Sequence, residues 1–201
     1  MTPRGRRPAG SPDARDAILT AARAAFAREG FSTSLRGIAR QAGVDPALVH
    51  HYFPDRARLF AQAVIVDAEG AGLDVEAVVE RLASLRAEDL GEGVVRLFLT
   101  TWQTMGADRF TAMVRAAMTD DLARTSLQSY ISSELLEPVI ARHAADRPVL
   151  RAQLIASQML GLGVARWVTE VSEIAAADVE DLVAIYGPTI QRYATEDLPG
   201  A

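Results

Sequence analysis

The sequence of 201 residues contains no cysteine. Its absence excludes disulfide scaffolds, zinc–cysteine sites, iron–sulfur clusters and thiol nucleophiles. Long hydrophobic runs are missing as well, because no apolar stretch approaches the roughly 18 residues that a membrane span requires. The first residues are polar and rich in arginine, proline and glycine, without the apolar core of a signal peptide. These absences predict a soluble, cytoplasmic protein.

Lysine is also absent, so every basic side chain other than histidine is an arginine. Residues 1–60 hold ten arginines and five acidic residues, whereas residues 61–201 hold eleven arginines and twenty-one acidic residues. The net charge of the whole chain is −5. A basic first third indicates an N-terminal module that meets a polyanion. A random fluctuation in charge is the alternative. The lack of lysine extends over both parts and indicates codon composition.

Helical periodicity dominates the chain, and no stretch shows the sustained alternation of a strand. Ile18, Ala22 and Phe26 form one apolar stripe on a first helix over residues 14–29. Further helices are predicted at 34–42, 46–52, 55–68, 74–84, 88–105, 108–118, 121–143, 146–171 and 178–195. A kink or short break is expected at Gly187-Pro188 in the last of them. The sequence therefore predicts an all-α protein.

The first three predicted helices have the spacing of a helix-turn-helix, in which the second helix of the pair enters the major groove of DNA. Gly43 lies in the turn between them. Thr33 or Ser34 can cap the helix before this turn, because a hydroxyl satisfies one of the unpaired N–H groups. Asp45 caps the helix after it, with Pro46 at the first helical position.

The helix after the turn has one buried and one exposed predicted face. Val49 and Phe53 point inward when the helix is viewed at about 100° per residue. The positions predicted to point outward are Ala47, Leu48, His50 and His51. Alanine and leucine suit thymine methyl groups, and histidine can bond a phosphate or a base edge. This face therefore favours a contact with DNA.

Signals of enzymatic chemistry are weak in this sequence. His50 and His51 point about 100° apart on a helix and have no third ligand in sight, so no metal site is expected. Residues 32–34 lack a general base and a Gly-x-Ser-x-Gly turn, which disfavours a serine nucleophile. The glycines in 161–163 follow no strand and precede no lysine, so they form no phosphate loop. No cofactor is expected.

The N-terminal helices resemble the tetracycline repressor-like (TetR) family of bacterial transcriptional regulators. The motifs that carry the resemblance lie within residues 14–60 and are Gly30-Phe31, Thr33 to Ala39, Ala42-Gly43-Val44, Asp45 to Phe53, Asp55-Arg56 and Leu59-Phe60. The resemblance implies that Thr33 and Ser34 meet phosphate at a helix N-terminus and that Arg36 reaches a base edge or phosphate. It implies base contacts by Pro46, Ala47 and Leu48, and backbone contacts by His50, His51, Tyr52 and Arg56.

The resemblance also divides the chain into segments. Residues 1–13 form a flexible basic arm, residues 14–60 the helix-turn-helix DNA-binding domain, and residues 61–201 a ligand-binding and dimerisation domain. The third segment resembles the family in length and helix count only. Arg4, Arg6 and Arg7 in the arm are compatible both with an inert tail and with a minor-groove contact.

The helix predicted at 88–105 is apolar almost all round, which is typical of a buried helix. The resemblance implies a ligand pocket among the middle helices, and methionine side chains adapt to irregular cavities. The predicted lining residues are Phe98, Trp102, Gln103, Met105, Phe110, Met113 and Gln158, with Gln103 or Gln158 as a polar anchor. An ordinary bundle core is the alternative, and it is favoured for any single one of these residues.

The last two predicted helices carry apolar stripes that suit a dimer. Small residues repeat at four-residue spacing on the first of them, so two backbones can approach closely. Two such stripes can pair across a two-fold axis into a four-helix bundle, as the family does. The predicted interface consists of Leu150, Leu154, Ser157, Gly161, Ala165 and Val168 on one helix and Leu182, Tyr186, Ile190 and Tyr193 on the other. Packing within one chain is the alternative.

Taken together, these patterns predict a homodimeric, ligand-responsive regulator of transcription. In this hypothesis it is a repressor that binds a palindromic operator in double-stranded DNA and is released by a small apolar effector. A DNA-binding regulator that senses no small molecule is the first alternative. A helical-bundle enzyme is the second, and the lack of a metal cluster, a nucleophile motif and a phosphate loop argues against it.

Overall fold

The computed structural model describes residues 12–29, 33–65, 75–144 and 146–199, and these ranges contain helices and no strand. The helices are α1 (Pro12–Glu29), α2 (Leu35–Ala42), α3 (Pro46–Tyr52), α4 (Arg56–Ile65), α5 (Val75–Ala83), α6 (Leu90–Met105), α7 (Ala107–Thr119), α8 (Asp121–Ser129), α9 (Glu137–His143), α10 (Pro148–Gly163), α11 (Ser172–Ala176) and α12 (Val179–Thr195). The prediction of an all-α fold is confirmed. None of the described helices has both the length and the apolar character needed to cross a bilayer.

The described residues divide into two compact units. The first contains residues 12–65 apart from the gap at 30–32, together with 116–127; the second contains the rest. The division predicted at residue 60 differs from this one, because α4 continues through Ile65 and a segment of the C-terminal half joins the first unit. Arg4, Arg6 and Arg7 of the predicted arm lie outside the described residues, as does the predicted end of the fourth helix.

The first unit is built on the apolar stripe of α1. Ile18 and Phe26 are buried, as the periodicity predicts, and Ile38 of α2 is buried with them. The rings of Phe26 and Phe60 meet edge to face, with centroids 5.0 Å apart. Val49 of α3 completes this core with no exposed surface. Helices α1 to α4 therefore share one hydrophobic centre.

The turn between α2 and α3 depends on Gly43. Its φ of 70° lies in the left-handed region, where a side chain is strained. Val44 N donates to Ala39 O over 3.0 Å and Gly43 N donates to Arg40 O over 3.3 Å, so the last carbonyls of α2 have partners. This turn fixes the direction in which α3 leaves α2.

The second unit is centred on the crossing of α6 and α12. A Cβ added at Gly91 would overlap the carbonyl oxygen of Gly187 and approach the backbone of Gln191. The two helices therefore pack backbone against backbone. Of the kink or short break expected at Gly187-Pro188, the break is absent, since α12 runs from Val179 to Thr195 without interruption. Gly187 is buried at the crossing, which keeps this part of α12 in register with α6.

Gln191 supplies hydrogen bonds to the beginning of α6. Its Oε1 accepts from Gly91 N at 2.7 Å, and its Nε2 donates to Ala87 O at 2.6 Å. The first N–H groups of a helix have no partner within the helix. The side chain of α12 therefore satisfies a group that α6 cannot satisfy itself.

Two arginines attach other elements to α12. Arg96 of α6 makes a bidentate pair with Glu180 at 2.7 and 2.9 Å, and this hydrogen bonding lowers the pKa of the Glu180 carboxyl. Arg151 of α10 is buried and donates to Tyr193 O at 2.8 Å and to Asp146 Oδ1 at 2.6 Å. The exposed pair contributes little to stability, whereas the buried guanidinium holds α10 against the end of α12.

The helix predicted at 146–171 is divided in the structure. It consists of α10, a π-helical segment at Val164–Val168 and a loop, and the short helix α11 that follows was not predicted. Arg166 in the π-helical segment donates to the carbonyl oxygens of Ile174 and Ala177, at 2.6 and 3.0 Å. This arginine satisfies the C-terminal carbonyls of α11, a long-range contact that periodicity does not reveal.

The crossing of α6 and α12 makes Gly91→Ala a destabilising substitution. The added methyl has no room against Gly187 O, so we expect the free energy of unfolding to fall by about 1–3 kcal/mol. Gly37→Ala is the control, because its Cβ would meet only Ser34 Cβ, at an ordinary 3.7 Å. Urea denaturation followed by circular dichroism measures both. Equal stability of the two variants would show that the backbones of α6 and α12 do not touch.

Candidate nucleic-acid interface and effector site

The N-terminus of α2 is capped by Ser34, whose Oγ accepts a hydrogen bond from Gly37 N at 3.3 Å. Thr33 was predicted to meet phosphate beside it, but its side chain is buried. Its hydroxyl donates to Ala25 O of α1 at 3.2 Å. We therefore correct the prediction for Thr33: its hydroxyl fastens α2 to α1, which leaves Ser34 on the surface.

Helix α3 begins as predicted, with Asp45 Oδ1 accepting from Ala47 N at 2.9 Å and Pro46 at the first helical position. Ala47, His50 and His51 are exposed, and so is Pro46. The outward orientation predicted for Leu48 is wrong, because only 9% of this residue is exposed. Helix α3 is seven residues long and packs against both α1 and α2. Two adjacent positions, Leu48 and Val49, therefore face the interior.

Helix α2 adds an exposed polar surface beside Ser34. Arg36 was predicted there, and the structure adds Arg40 and Gln41, which are also exposed. These side chains line a depression of about 400 Å³, together with Ala25, Thr33, Ser34 and Gly37. Arg36 and Arg40 are four positions apart and so share one helix face. The four-residue spacing from Arg36 was therefore sufficient to predict from the sequence that Arg40 shares this surface.

Tyr52 and Arg56 lie at the other end of α3. Both are half-buried, and the ring of Tyr52 meets that of His51 edge to face, with centroids 5.3 Å apart. Asp55 Oδ1 accepts from Arg58 N at 2.7 Å and so caps α4. The side chain of Arg58 is exposed. Arginines of α4 therefore follow the end of α3 in the chain, as arginines of α2 precede its beginning.

The arrangement suits double-stranded DNA chemically. Alanine and proline at the start of α3 leave room for a base edge or a thymine methyl, and imidazoles can bond bases or phosphates. Guanidinium groups on α2 and α4 suit phosphate oxygens. Within the described part of the chain, no group of three or more His, Cys, Asp or Glu residues could hold a metal ion.

The second unit contains a cluster of four aromatic side chains. Phe98 and Trp102 come from α6, Phe110 from α7, and Trp167 from the π-helical segment. The Phe110 ring lies 5.0 Å from Trp102, 5.1 Å from Trp167 and 6.0 Å from Phe98, measured between centroids. Phe98 and Trp167 are 5.6 Å apart. We call these four residues the aromatic cluster.

The other predicted lining residues differ in their exposure. Met113 is buried on α7, and Met105 and Gln158 are half-buried. Gln103 is exposed, which corrects its predicted role as a polar anchor. It follows Trp102 in sequence and therefore points about 100° away from it. Trp167 was not among the predicted residues. The only feature of the sequence that could have indicated it is the large aromatic ring of tryptophan.

Two residues of the predicted dimer surface are buried within their own unit. Leu182 and Ile190 of α12 are 3% and 0% exposed, because they pack in the core of their own unit with α6 and α10. Their assignment to an interface is therefore wrong. Tyr186 and Tyr193 are half-buried against the same core.

Helix α10 and the π-helical segment after it retain an exposed face. Leu150, Ser157, Gly161 and Val168 are exposed, and Leu154 and Ala165 are half-buried between them. A Cβ at Gly161 would meet no atom within 4 Å. Leu160 is exposed at the edge of this face, and Ile185 of α12 is 67% exposed; neither was predicted. We call the six α10-side residues Leu150, Leu154, Ser157, Gly161, Ala165 and Val168 the α10 face.

Family models match both parts of the chain. Residues 18–63 match the model of bacterial regulatory proteins of the tetR family, and residues 88–194 match that of the tetracyclin repressor-like C-terminal domain. The curated proteins include no match. The second match covers more than half of the chain and contains the aromatic cluster and the α10 face.

Solved structures are similar over nearly the whole length. A TetR-family regulator from Streptomyces coelicolor A3 is 31% identical, with 95% of this chain and 99% of that chain covered and a TM-score of 0.61. Proteins described as TetR-family regulators from Rhodococcus sp. and Shewanella sp. PV-4 share this fold, at 18% and 20% identity. They cover 92% and 88% of this chain and 100% and 97% of their own, with TM-scores of 0.52 and 0.51. The chain therefore belongs to the tetracycline repressor-like (TetR) family of bacterial transcriptional regulators, and it is a DNA-binding regulator rather than an enzyme.

Proposed function

We propose that this protein is a homodimeric repressor that binds a palindromic DNA operator and is released from it by a small apolar effector. The observation that carries the proposal is the exposed face of α3, with Ala47, His50 and His51 between the arginines of α2 and α4. In a family of transcriptional regulators, this face is the surface with the chemistry for base contacts.

The α2 residues support a phosphate contact on one side of that face. Arg36 and Arg40 of α2 are exposed, and Ser34 caps the N-terminus of the same helix. Guanidinium groups and a helix N-terminus both favour a phosphate oxygen. Phosphate contacts fix the register of a protein on DNA, whereas the side chains of α3 read the bases.

The α10 face supports a dimer. Gly161 has open space where a Cβ would stand, and Leu150 and Val168 are exposed on either side of it. A partner α10 can therefore approach closely at the glycine and cover the apolar side chains. A two-fold axis brings together the same residues of both protomers and presents two copies of α3, which suit the two half-sites of a palindrome.

The aromatic cluster supports an apolar effector, since ligand sites are mostly apolar. Phe110 belongs to α7, whose residues 116–119 are part of the first unit, so α7 joins the two units through the chain itself. A ligand that favours another position of α7 shifts the population toward a state with lower operator affinity.

The test of the proposal is footprinting on the DNA that flanks the gene of this protein. We expect protection of a palindrome whose half-site centres are about one helical turn, or a multiple of it, apart. Affinity should fall steeply with salt because arginines displace counterions from phosphates. Binding that is absent, or insensitive to salt, on every duplex would contradict it.

Arg36→Ala and Arg40→Ala test the phosphate contacts of α2. Each substitution should weaken binding to operator and to random DNA alike and lower the slope of log affinity against log salt by about one. Arg86→Ala is the matched control, because Arg86 is exposed in the second unit and pairs with Glu88 and Asp89. Titrations at several salt concentrations measure the slopes. Identical slopes for Arg36→Ala and Arg86→Ala would show that Arg36 of α2 does not contact phosphate.

A further inference from the structure

The ring of Phe110 occupies a completely enclosed position. None of its surface is exposed, and three other rings surround it. Trp102 and Phe98 meet it edge to face, with interplanar angles of 83° and 85°, and Trp167 lies tilted at 57°. Edge-to-face contacts are favourable for aromatic rings in general and not only for a phenylalanine. The three rings thus form the walls of a site for one aromatic ring.

The floor of this site is Gly163 of α10. A Cβ at that position would overlap three atoms of the Phe110 ring. Glycine in a helix costs about 1 kcal/mol relative to alanine, so its presence is explained by the room that it leaves for the ring. The contrast with Gly161, two residues earlier, is clear, because a Cβ there would meet nothing within 4 Å. We call the space bounded by Phe98, Trp102, Trp167 and Gly163 the ring site.

One wall of the ring site and its occupant belong to elements that differ from regular α-helix or that leave the unit. Trp167 lies in the π-helical segment, and such segments are frequent at functional sites. Thr111 donates its hydroxyl to Trp167 O at 3.3 Å, so α7 and the π-helical segment are joined next to the ring. Phe110 itself is on α7, which continues into the first unit. Because the ring of Phe110 is fully enclosed, we expect its displacement to alter the packing of α7.

We propose that Phe110 is the built-in occupant of the effector site: an effector with one uncharged aromatic ring takes its place in the ring site and so displaces α7. This inference rests on the proposed function and adds to it the chemical class of the effector and the side chain with which it competes. The ligand-free and the ligand-bound states of the regulator then differ in one event, the exchange of one ring for another. The closed cluster is the DNA-binding state.

The first experiment compares Gly163→Ala with wild type in the absence of any ligand. The added methyl denies Phe110 its position, so we expect operator affinity to fall by about 10-fold or more, as the coupling of two sites typically allows. Gly91→Ala is the matched control, because it overfills another helix contact of the same unit without touching the ring site. An equal loss of affinity in Gly91→Ala would mean that general destabilisation causes the effect, and the inference would be overturned.

The second experiment uses Phe110→Ala with toluene as the probe. Removal of the ring leaves an apolar cavity, and cavities of this kind bind benzene-like molecules. In wild type, toluene must compete with Phe110, so the apparent dissociation constant is the intrinsic constant divided by the small fraction of protein whose ring site is open. We expect Phe110→Ala to bind toluene about 10-fold more tightly or better, measured by quenching of Trp102 and Trp167 and by the rise in Tm. Toluene should lower the operator affinity of wild type and should leave the operator affinity of Phe110→Ala unchanged.

Failure of the inference differs from failure of the proposed function. If wild type binds no duplex specifically, the proposed function fails, while the toluene comparison still tests the ring site. If wild type binds its operator but toluene leaves that affinity unchanged, Phe110 is only a core residue, because a cavity left by any buried ring binds toluene. If toluene still releases Phe110→Ala from the operator, the coupling does not pass through Phe110, and the inference is likewise overturned.

Discussion

The double variant Leu150→Glu/Val168→Glu should be monomeric and should bind the operator about 100-fold more weakly than wild type. Both side chains are exposed on the α10 face, so a monomer tolerates glutamate there. In a two-fold dimer the two substitutions place four carboxylates in one apolar interface, where burial of unpaired charge is strongly unfavourable. A monomer engages one half-site and loses the avidity of two linked reading heads, a factor of about 10²–10⁴.

Analytical ultracentrifugation and an operator titration measure the two effects of this variant. Gln103→Glu/Thr104→Glu is the matched control, because it adds the same charge at two exposed positions of α6. The control should remain dimeric and retain its operator affinity. A dimeric Leu150→Glu/Val168→Glu variant would show that the protomers associate through another surface.

Ala47→Glu should lower operator affinity about 100-fold without loss of stability. Ala47 is exposed in the first turn of α3, where a carboxylate interacts favourably with the helix dipole. Against DNA the same carboxylate replaces a small apolar side chain by a negative charge, which repels phosphates and removes an apolar contact with a base edge. Thermal unfolding and an anisotropy titration separate the two expectations. Gln103→Glu again serves as the control for charge.

Wild-type affinity in Ala47→Glu, with an unchanged footprint, would exclude α3 as the reading helix. A fall in Tm together with the fall in affinity would instead show that Ala47 contributes to the core. The expected pattern is therefore a loss of DNA binding in a fully folded protein.

Local signals in the sequence were sufficient for the helix-turn-helix. Ser34, Gly43 and Asp45 have the cap and turn geometry that their residue types favour, because a cap depends only on neighbours within about four positions. Val49 and Phe53 are buried as their spacing predicts. These positions define the start and direction of α3, so the exposed face followed from sequence.

Contacts between distant segments could not be predicted in the same way. Periodicity identifies an apolar face but not the element that covers it, and so Leu182 and Ile190 were assigned to a dimer although their own unit covers them. Leu48 was placed outside for the same reason. Thr33 donates to a carbonyl of α1 that lies eight residues earlier, a contact that residue types alone do not reveal.

The aromatic cluster was predicted in part. Phe98, Trp102 and Phe110 are close in sequence on two successive helices, and the apolar character of α6 indicated their burial. Trp167 and Gly163 reach them from α10 and the π-helical segment, far along the chain. A glycine that makes room for a ring resembles any other helical glycine in a sequence. Only the structure distinguishes Gly163 from Gly161.

The central claim is that two copies of α3 read one palindrome, and a titration of the wild-type protein on matched duplexes tests it most directly. The duplexes are the footprinted palindrome, a single half-site and a scrambled sequence of equal length and charge. We expect one dimer or a pair of dimers on the palindrome, with affinity about 10³-fold or more above that for the scrambled duplex and much weaker binding to the half-site. Equal affinity for all three duplexes at physiological salt would contradict the claim.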